Sequence, residues 1–497
     1  MASFWRAFVR LVVFGAWAAP TLAQAAPWEA RIDAEAARAD IRLAREALEA
    51  IHPGYDRYAD AAALDAMWTG LEARAATGIS GATFYVELSR VLSALRCDHT
   101  KAEIPQSWER ARAEASFFPF RFEIIDGRAF LVDGLGAAHG DELIAIDGRP
   151  AAEIFAAIRP LVAVDGFTDF AADEALGASG EYLGSAFEHF YPLIYGAWSN
   201  ATVTFETLAG ERRSLAVQPI GFDAWRALNH PSGAYRTNFS DAVDFRLEDG
   251  VGVLRVDSFV NYPTPVDPEA IYAPIFQRLA DAGARALVVD TRLNGGGSTD
   301  AMMALLRHLS PEPFTHQKAI YVKTLDLTAF TEHLQTWDTS VLSPDLNGFV
   351  QEGPDGRHPG WFRLKSELDP VSLEPQTLLS PRFGGPVYIL SHPRNASGVT
   401  HMLSRLTGLD GVDVTVIGED TGGSAQGATA GVLVFLALPN TGIRVRIPLF
   451  RQYLDVADAR EGYGVAPDIR VVRSREALIN GADPVLERAL AIAAQAS

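Results

Sequence analysis

The chain has 497 residues, 48% hydrophobic and 21% charged, with a formal charge of −19. That length exceeds one compact core and suggests two or three domains of ordinary globular composition. The acidic balance, with only Lys101, Lys318, Lys323 and Lys365 as lysines, argues against nucleic acid or an anionic membrane surface as partner.

The first 25 residues read as a secretory signal peptide. Arg6 and Arg10 precede the apolar run Leu11 to Ala19, and Ala23-Gln24-Ala25 has the small-x-small form of a cleavage site. The apolar run is too short to span a bilayer. No cysteine marks a lipid attachment point, and the lone Cys97 rules out an internal disulfide framework. The expected location is periplasmic or secreted, with no membrane anchor.

Three segments with apolar residues at three- and four-residue spacing follow: Ile32 to Ile51, Ala61 to Ala76 and Ala82 to Leu95. They predict an N-terminal helical subdomain over 27–112. The third runs into Asp98-His99-Thr100. Residues 113–222 read as a β-rich domain, with alternating runs at Phe120 to Ile125 and Ala129 to Val132. A string from Gly140 to Gly148 resembles the glycine-turn segment of PDZ-like domains. Residues 162–197 look like a helical, aromatic-rich insertion, and Thr202 to Val217 could supply closing strands.

From Phe245 strand and helix alternate, which implies an α/β layer structure with parallel strands in a domain over 223–490. Within it, Leu287 to Asp290 leads through Gly295, Gly296 and Gly297 into a helix-compatible segment from Thr299. Such a turn points bare backbone N–H groups at a ligand and suits a developing oxyanion. The spacing fits neither common nucleotide-binding glycine motif. Asp290 and Arg292 read as an ion pair shaping the turn. Residues 324–382, rich in Pro, Gly, Asp and Leu, break the rhythm and are expected to be a lid over a substrate groove or a structural insertion.

A second strand-to-helix turn spans Val387 to Leu406 and carries Ser397 at the helix start. The serine could be an N-cap, yet the position also exposes a hydroxyl beside free N–H groups, as a nucleophile requires. Two further segments, VTVIGEDTGGSAQG (Val414 to Gly427) and EGYGVAPDI (Glu461 to Ile469), complete a series of four. Together they resemble the catalytic domain of the C-terminal processing (tail-specific) serine peptidases, a family that includes the tricorn core protease and the interphotoreceptor retinoid-binding protein. The resemblance covers roughly residues 245–472 and implies a ClpP/crotonase-like layered core.

In the bacterial tail-specific branch the base is a lysine in the turn that here reads Gly418 to Ser424. Ser424 occupies that place and no lysine follows Lys365, which excludes the Ser–Lys dyad. The tricorn branch uses a histidine from the N-terminal side, and the resemblance therefore implies Ser397 as nucleophile, His99 as general base and Glu461 as orienting acid. The N–H groups of Gly398 and of Gly296 or Gly297 would form the oxyanion hole. Asp98 stands where that branch has a serine, so it is a second candidate to orient His99. His401 and His392 are rival bases by proximity, and Cys97 reads as a buried structural thiol. No metal-ligand spacing is found and no cofactor is expected.

The expected activity is a serine peptidase acting on peptides or proteins through an acyl-enzyme. A lipophilic-ligand or peptide-binding protein on the same scaffold, or a hydrolase of another acyl substrate, are the alternatives. A homo-oligomer is compatible with either.

Overall fold

The computed structural model describes residues 26–114, 116–136, 138–177, 182–229, 237–457 and 459–496. The leader expected over residues 1–25 lies outside the described residues. Helices α1 (Ala34–Ile51), α2 (Ala61–Ala75) and α3 (Gly81–Ser93) form where the periodicity placed them. In α1 the buried residues Ala37, Ile41, Ala44, Leu48 and Ile51 fall on one stripe. The Asp33 carboxylate caps its start by accepting from the N–H groups of Glu35 and Ala36.

The β-rich part is an antiparallel sheet whose main strands are β1 (Phe120–Ile125), β2 (Arg128–Gly134), β3 (Glu142–Ile146), β4 (Ala201–Glu206) and β5 (Arg212–Val217), joined in that spatial order. The aromatic-rich insertion supplies the helix Ala186–Tyr195, which buries Phe187 and Tyr191 against Phe118.

The second half of the chain is built on a six-stranded sheet in the order β6 (Val243–Glu248), β7 (Val251–Val256), β8 (Ala286–Asp290), β10 (Val387–Ser391), β11 (Val414–Gly418) and β14 (Ile469–Arg470). All neighbours run parallel except the β6–β7 pair. Both faces are covered, which explains the unbroken apolar runs of these strands. Leu254, Leu287, Val289 and Ile389 pack against α4 (Pro268–Asp281), α5 (Thr299–Leu309) and α6 (Ser397–Thr407). Val253, Val288 and Leu390 face α7 (Pro484–Ala493) through Val485 and Ala489.

A second, antiparallel sheet forms around β9 (Gln317–Val322) and the long hairpin β12 (Thr429–Ala437) and β13 (Arg444–Leu454). Residues 324–382 add short strands to it: Leu334–Gln335 pairs with β12, and Phe362–Leu364 pairs with β9. The N-terminal helices do not form a separate body. Ile41 and Leu48 share one core with Val434, Leu436, Val445 and Ile447 of the hairpin. Immediately after His99, the two-residue strand Ala102–Glu103 pairs with Val445 and Arg444. This pairing fixes the early His99 loop to the late part of the chain.

Candidate active site

Two strand-to-helix turns meet at the carboxyl ends of the parallel strands β8 and β10, where open α/β sheets place their ligand sites. Asn395, fully buried, joins them: its side-chain amide donates to the carbonyls of Thr291 (2.6 Å) and Asn294 (2.9 Å). Its Oδ1 accepts from the His392 N–H, and its backbone carbonyl accepts from Gly422 and Gly423. One residue thus ties together the glycine turn and the serine turn through its side chain, and the Gly418–Ser424 turn through its backbone.

Ser397 sits at the first position of α6 with φ +48°. A non-glycine residue in the left-handed region is strained, and such strain persists only where the surroundings enforce it. The enforcing neighbours are backbone. A Cβ on Gly296 (φ +115°) would lie 2.9 Å from Ser397 Cβ, and one on Gly423 would lie 3.0 Å from Ser397 N. A Cβ on Gly297 (φ +136°) would stand 2.3 Å from the carbonyl carbon of Phe259. Only glycine permits this approach.

The candidate oxyanion donors separate by their existing partners. The Gly296 N–H donates to Asn294 Oδ1 at 2.8 Å, so it is already engaged. Gly297 N lies 3.6 Å from the place a Cβ on Gly398 would take. Gly398, second residue of α6, has no acceptor within its own helix. Among the described residues the Gly297 and Gly398 N–H groups meet no acceptor, which makes them the candidate pair at the serine.

His99 follows α3 through a sharp turn in which Arg96 takes φ +54° and the Thr100 N–H donates to the Cys97 carbonyl. Its Nδ1 lies 2.5 Å from Asp98 Oδ1. Burial alone would depress the imidazole, but the Asp98 carboxylate overrides it by charge and hydrogen bonding and lifts it to about 10. Among the described residues no hydrogen bond joins His99 to Ser397. Several contacts tie the His99 loop to the β12–β13 hairpin. Arg446 Nε donates to the His99 carbonyl at 3.0 Å, and the Cys97 thiol donates to the Thr429 carbonyl at 3.3 Å. His401, one turn along α6 from Ser397, feels the charges of both His99 and Asp98.

Glu461 is placed differently from Asp98. Its Oε1 accepts from Arg57 Nε and from Arg451 Nη2, each at 3.2 Å. Arg57, almost wholly buried, donates in turn to Thr429 Oγ1. Guanidinium groups, not the imidazole, occupy the Glu461 carboxylate, and Asp98 is the acid in contact with His99.

The rival groups have other duties. His401 Nε2 accepts from the Ala428 N–H, and burial drives it down to about 3. His392 Nδ1 accepts from the Arg394 N–H, and burial lowers it as well. Cys97 is buried. Arg292 pairs with Asp290 and also with Asp483, both at 2.7 Å, which pins α7 to the glycine turn.

Asp165 escaped the sequence reading. It is buried, its Oδ2 accepts from the Ser424 N–H at 2.9 Å, and Thr168 beside it donates to the Gly422 carbonyl. Burial, with help from Asp98 and against Arg57, raises it to about 7. It buttresses the turn that presses on Ser397. Tyr58 OH, 3.4 Å from Ser424 Oγ, belongs to the same cluster.

Among curated proteins, none matches this sequence. Among solved structures, mature CPAF complexed with lactacystin superposes with a TM-score of 0.62 at 16% identity, over 93% of this chain and 98% of that one. A serine-to-alanine mutant of CPAF gives 0.63 at 15% identity, over 93% and 97%. The photosystem II D1 C-terminal processing protease gives 0.40 at 15%, over 88% and 93%. At these identities the CPAF likeness establishes the fold. The family model of peptidase family S41 matches residues 250–471, the segment that carries both strand-to-helix turns and the two motifs after them.

Proposed function

We propose that the protein is an exported serine peptidase of the tricorn-like type, which cleaves peptides through an acyl-enzyme on Ser397. What supports this reading is the strained Ser397 beside two N–H groups, Gly297 and Gly398, together with an Asp98–His99 pair whose charges reach His401, one turn along α6. In the reaction, Ser397 Oγ attacks the scissile carbonyl carbon while its proton passes to His99 Nε2. The carbonyl oxygen becomes an oxyanion held by Gly297 and Gly398 N–H, a contribution of about 10²–10³ in turnover per donor. Asp98 holds the imidazole through Nδ1 and stabilises the imidazolium that forms. His99 then protonates the leaving amine as the tetrahedral adduct collapses. Water repeats the sequence on the ester and regenerates Ser397. Export rests on the leader-like residues 1–25.

Labelling with a fluorophosphonate probe, followed by digestion of a peptide library, tests the proposal. Wild type should label and cleave, whereas Ser397→Ala should do neither and His99→Ala should label far more slowly. Labelling that survives Ser397→Ala would overturn the nucleophile, and a wild type inert to both assays would leave a binding protein on this scaffold.

A further inference from the structure

The two halves of the candidate site are bridged by an exposed aromatic pair. Tyr262 and Trp337 stack with ring centroids 6.4 Å apart and planes 25° from parallel. They remain 66% and 75% exposed. Each is tied to a different half. On the serine side, Phe259 forms a bridge with Gly297, and the Ser298 N–H donates to the Phe259 carbonyl. The Asn261 N–H donates to Ser298 Oγ at 2.9 Å. Tyr262 is the next residue. On the histidine side, Trp337 packs edge-on against Phe435 at 5.0 Å. Phe435 lies directly opposite Arg446 in the β12–β13 hairpin. Residues opposed in this way share a sheet face, and Arg446 is the residue that holds the His99 carbonyl.

We propose that Tyr262 and Trp337 form a recognition ledge that receives a large apolar side chain, aromatic by preference, from an extended peptide substrate. The proposal rests on the peptidase reading and deepens it by naming a substrate class. An aromatic side chain has about 150–250 Å² to bury, and leaving two such groups in water forgoes a large hydrophobic gain. Contiguous exposed apolar surface commonly marks a binding site. The occupant follows from continuity with the site: Tyr262 adjoins the Asn261–Ser298 contact beside Gly297, and Trp337 packs on the hairpin whose Arg446 holds the His99 carbonyl. Offset aromatic stacking then favours a ring over a small aliphatic group.

The test compares two peptide series, identical except for Phe or Ala at each position around the cleaved bond. They are used on wild type, Tyr262→Ala, Trp337→Ala and, as control, Leu215→Ala in β5 of the separate antiparallel sheet. Wild type should prefer Phe at one position by about tenfold in kcat/KM, and both ledge variants should lose that preference while the control keeps it. Equal loss on both series, or no loss, overturns the ledge. So does sedimentation showing a wild-type dimer that Trp337→Ala dissolves, since the occupant would then be a second copy. Calorimetry on Ser397→Ala separates this proposal from the one beneath it. Phe-selective binding lost in Ser397→Ala/Trp337→Ala supports the ledge even if Ser397 proves unreactive in wild type. Absence of selectivity overturns the ledge even if Ser397 labels.

Discussion

Asp98 Oδ1 and His99 Nδ1, from adjacent residues, stand 2.5 Å apart, a contact made possible by the sharp turn that ends α3. It sets the charge state of the proposed base. With the imidazole raised to about 10, the resting enzyme carries an imidazolium at neutral pH, and only the neutral form can take the serine proton.

The first prediction is therefore a pH profile. kcat/KM should climb through the alkaline range, about tenfold per pH unit, and level off near the raised pKa of about 10. In Asp98→Asn the charge that lifts the imidazole is gone and burial is opposed only by the Cys97 contact, so the pKa falls back toward its ordinary value of about 6.5. The profile should then be flat above neutrality, with kcat reduced by up to about 10⁴-fold. The sign for stability is fixed too. A raised histidine pKa stabilises the fold below about 6.5, and that contribution disappears as pH passes about 10. A wild-type profile with its inflection near 6.5 would contradict the Asp98 assignment.

Gly297→Ala should abolish turnover. The new methyl would meet the Phe259 backbone at 2.3 Å, with the residue at φ +136°, so the chain must shift and carry the N–H donor with it. The loss should reach at least the ~10²–10³ of one missing donor. Fluorophosphonate labelling reads it directly, with circular dichroism to show that the fold persists. Wild-type labelling rates in this variant would remove Gly297 from the oxyanion hole.

Asn395→Ala leaves the Thr291 and Asn294 carbonyls and the His392 N–H without their buried partner. Each such group costs about 1–3 kcal/mol, partly relieved by water entering the gap, and a net destabilisation of about 2–4 kcal/mol is expected. Denaturant titration should show the midpoint falling at unchanged slope. Labelling of Ser397 should also slow, because the glycine turn and the serine turn lose their common tie. A neutral effect on both readouts would mean that the turns hold themselves.

Much of this site was legible in the sequence because it is local. The glycines before α5 and the serine opening α6 lie on strand–turn–helix units whose apolar runs and punctuation are visible in a few residues. His99 was not visible that way; only its motif context singled it out among 11 histidines. The choice between Asp98 and Glu461 was also beyond reach, because it depends on where Arg57 and Arg451 point, and those groups come from opposite ends of the chain. Asp165 was missed for the same reason: its partner, Ser424, is 259 residues away. The long hairpin β12–β13 carries bulged, partly exposed strands, and it turned an expected helical subdomain into one wall of a shared core.

Glu461 supplies the final and most discriminating prediction. If its carboxylate oriented His99, removing its charge would move the alkaline inflection as Asp98→Asn does. In this structure the Glu461 carboxylate answers the guanidinium groups of Arg57 and Arg451 and is about half exposed. Glu461→Gln keeps a hydrogen-bond acceptor for both arginines, so the inflection should stay in place and kcat should change by less than about tenfold, as for a partly exposed ion pair. Glu461→Arg, by contrast, crowds a third guanidinium against a nearly buried Arg57 and should displace the Thr429 strand end that holds Cys97, slowing Ser397 labelling. An inflection shifted equally by Glu461→Gln and Asp98→Asn would show that the two acids act as one relay, and the division of roles drawn from the 2.5 Å contact would fail.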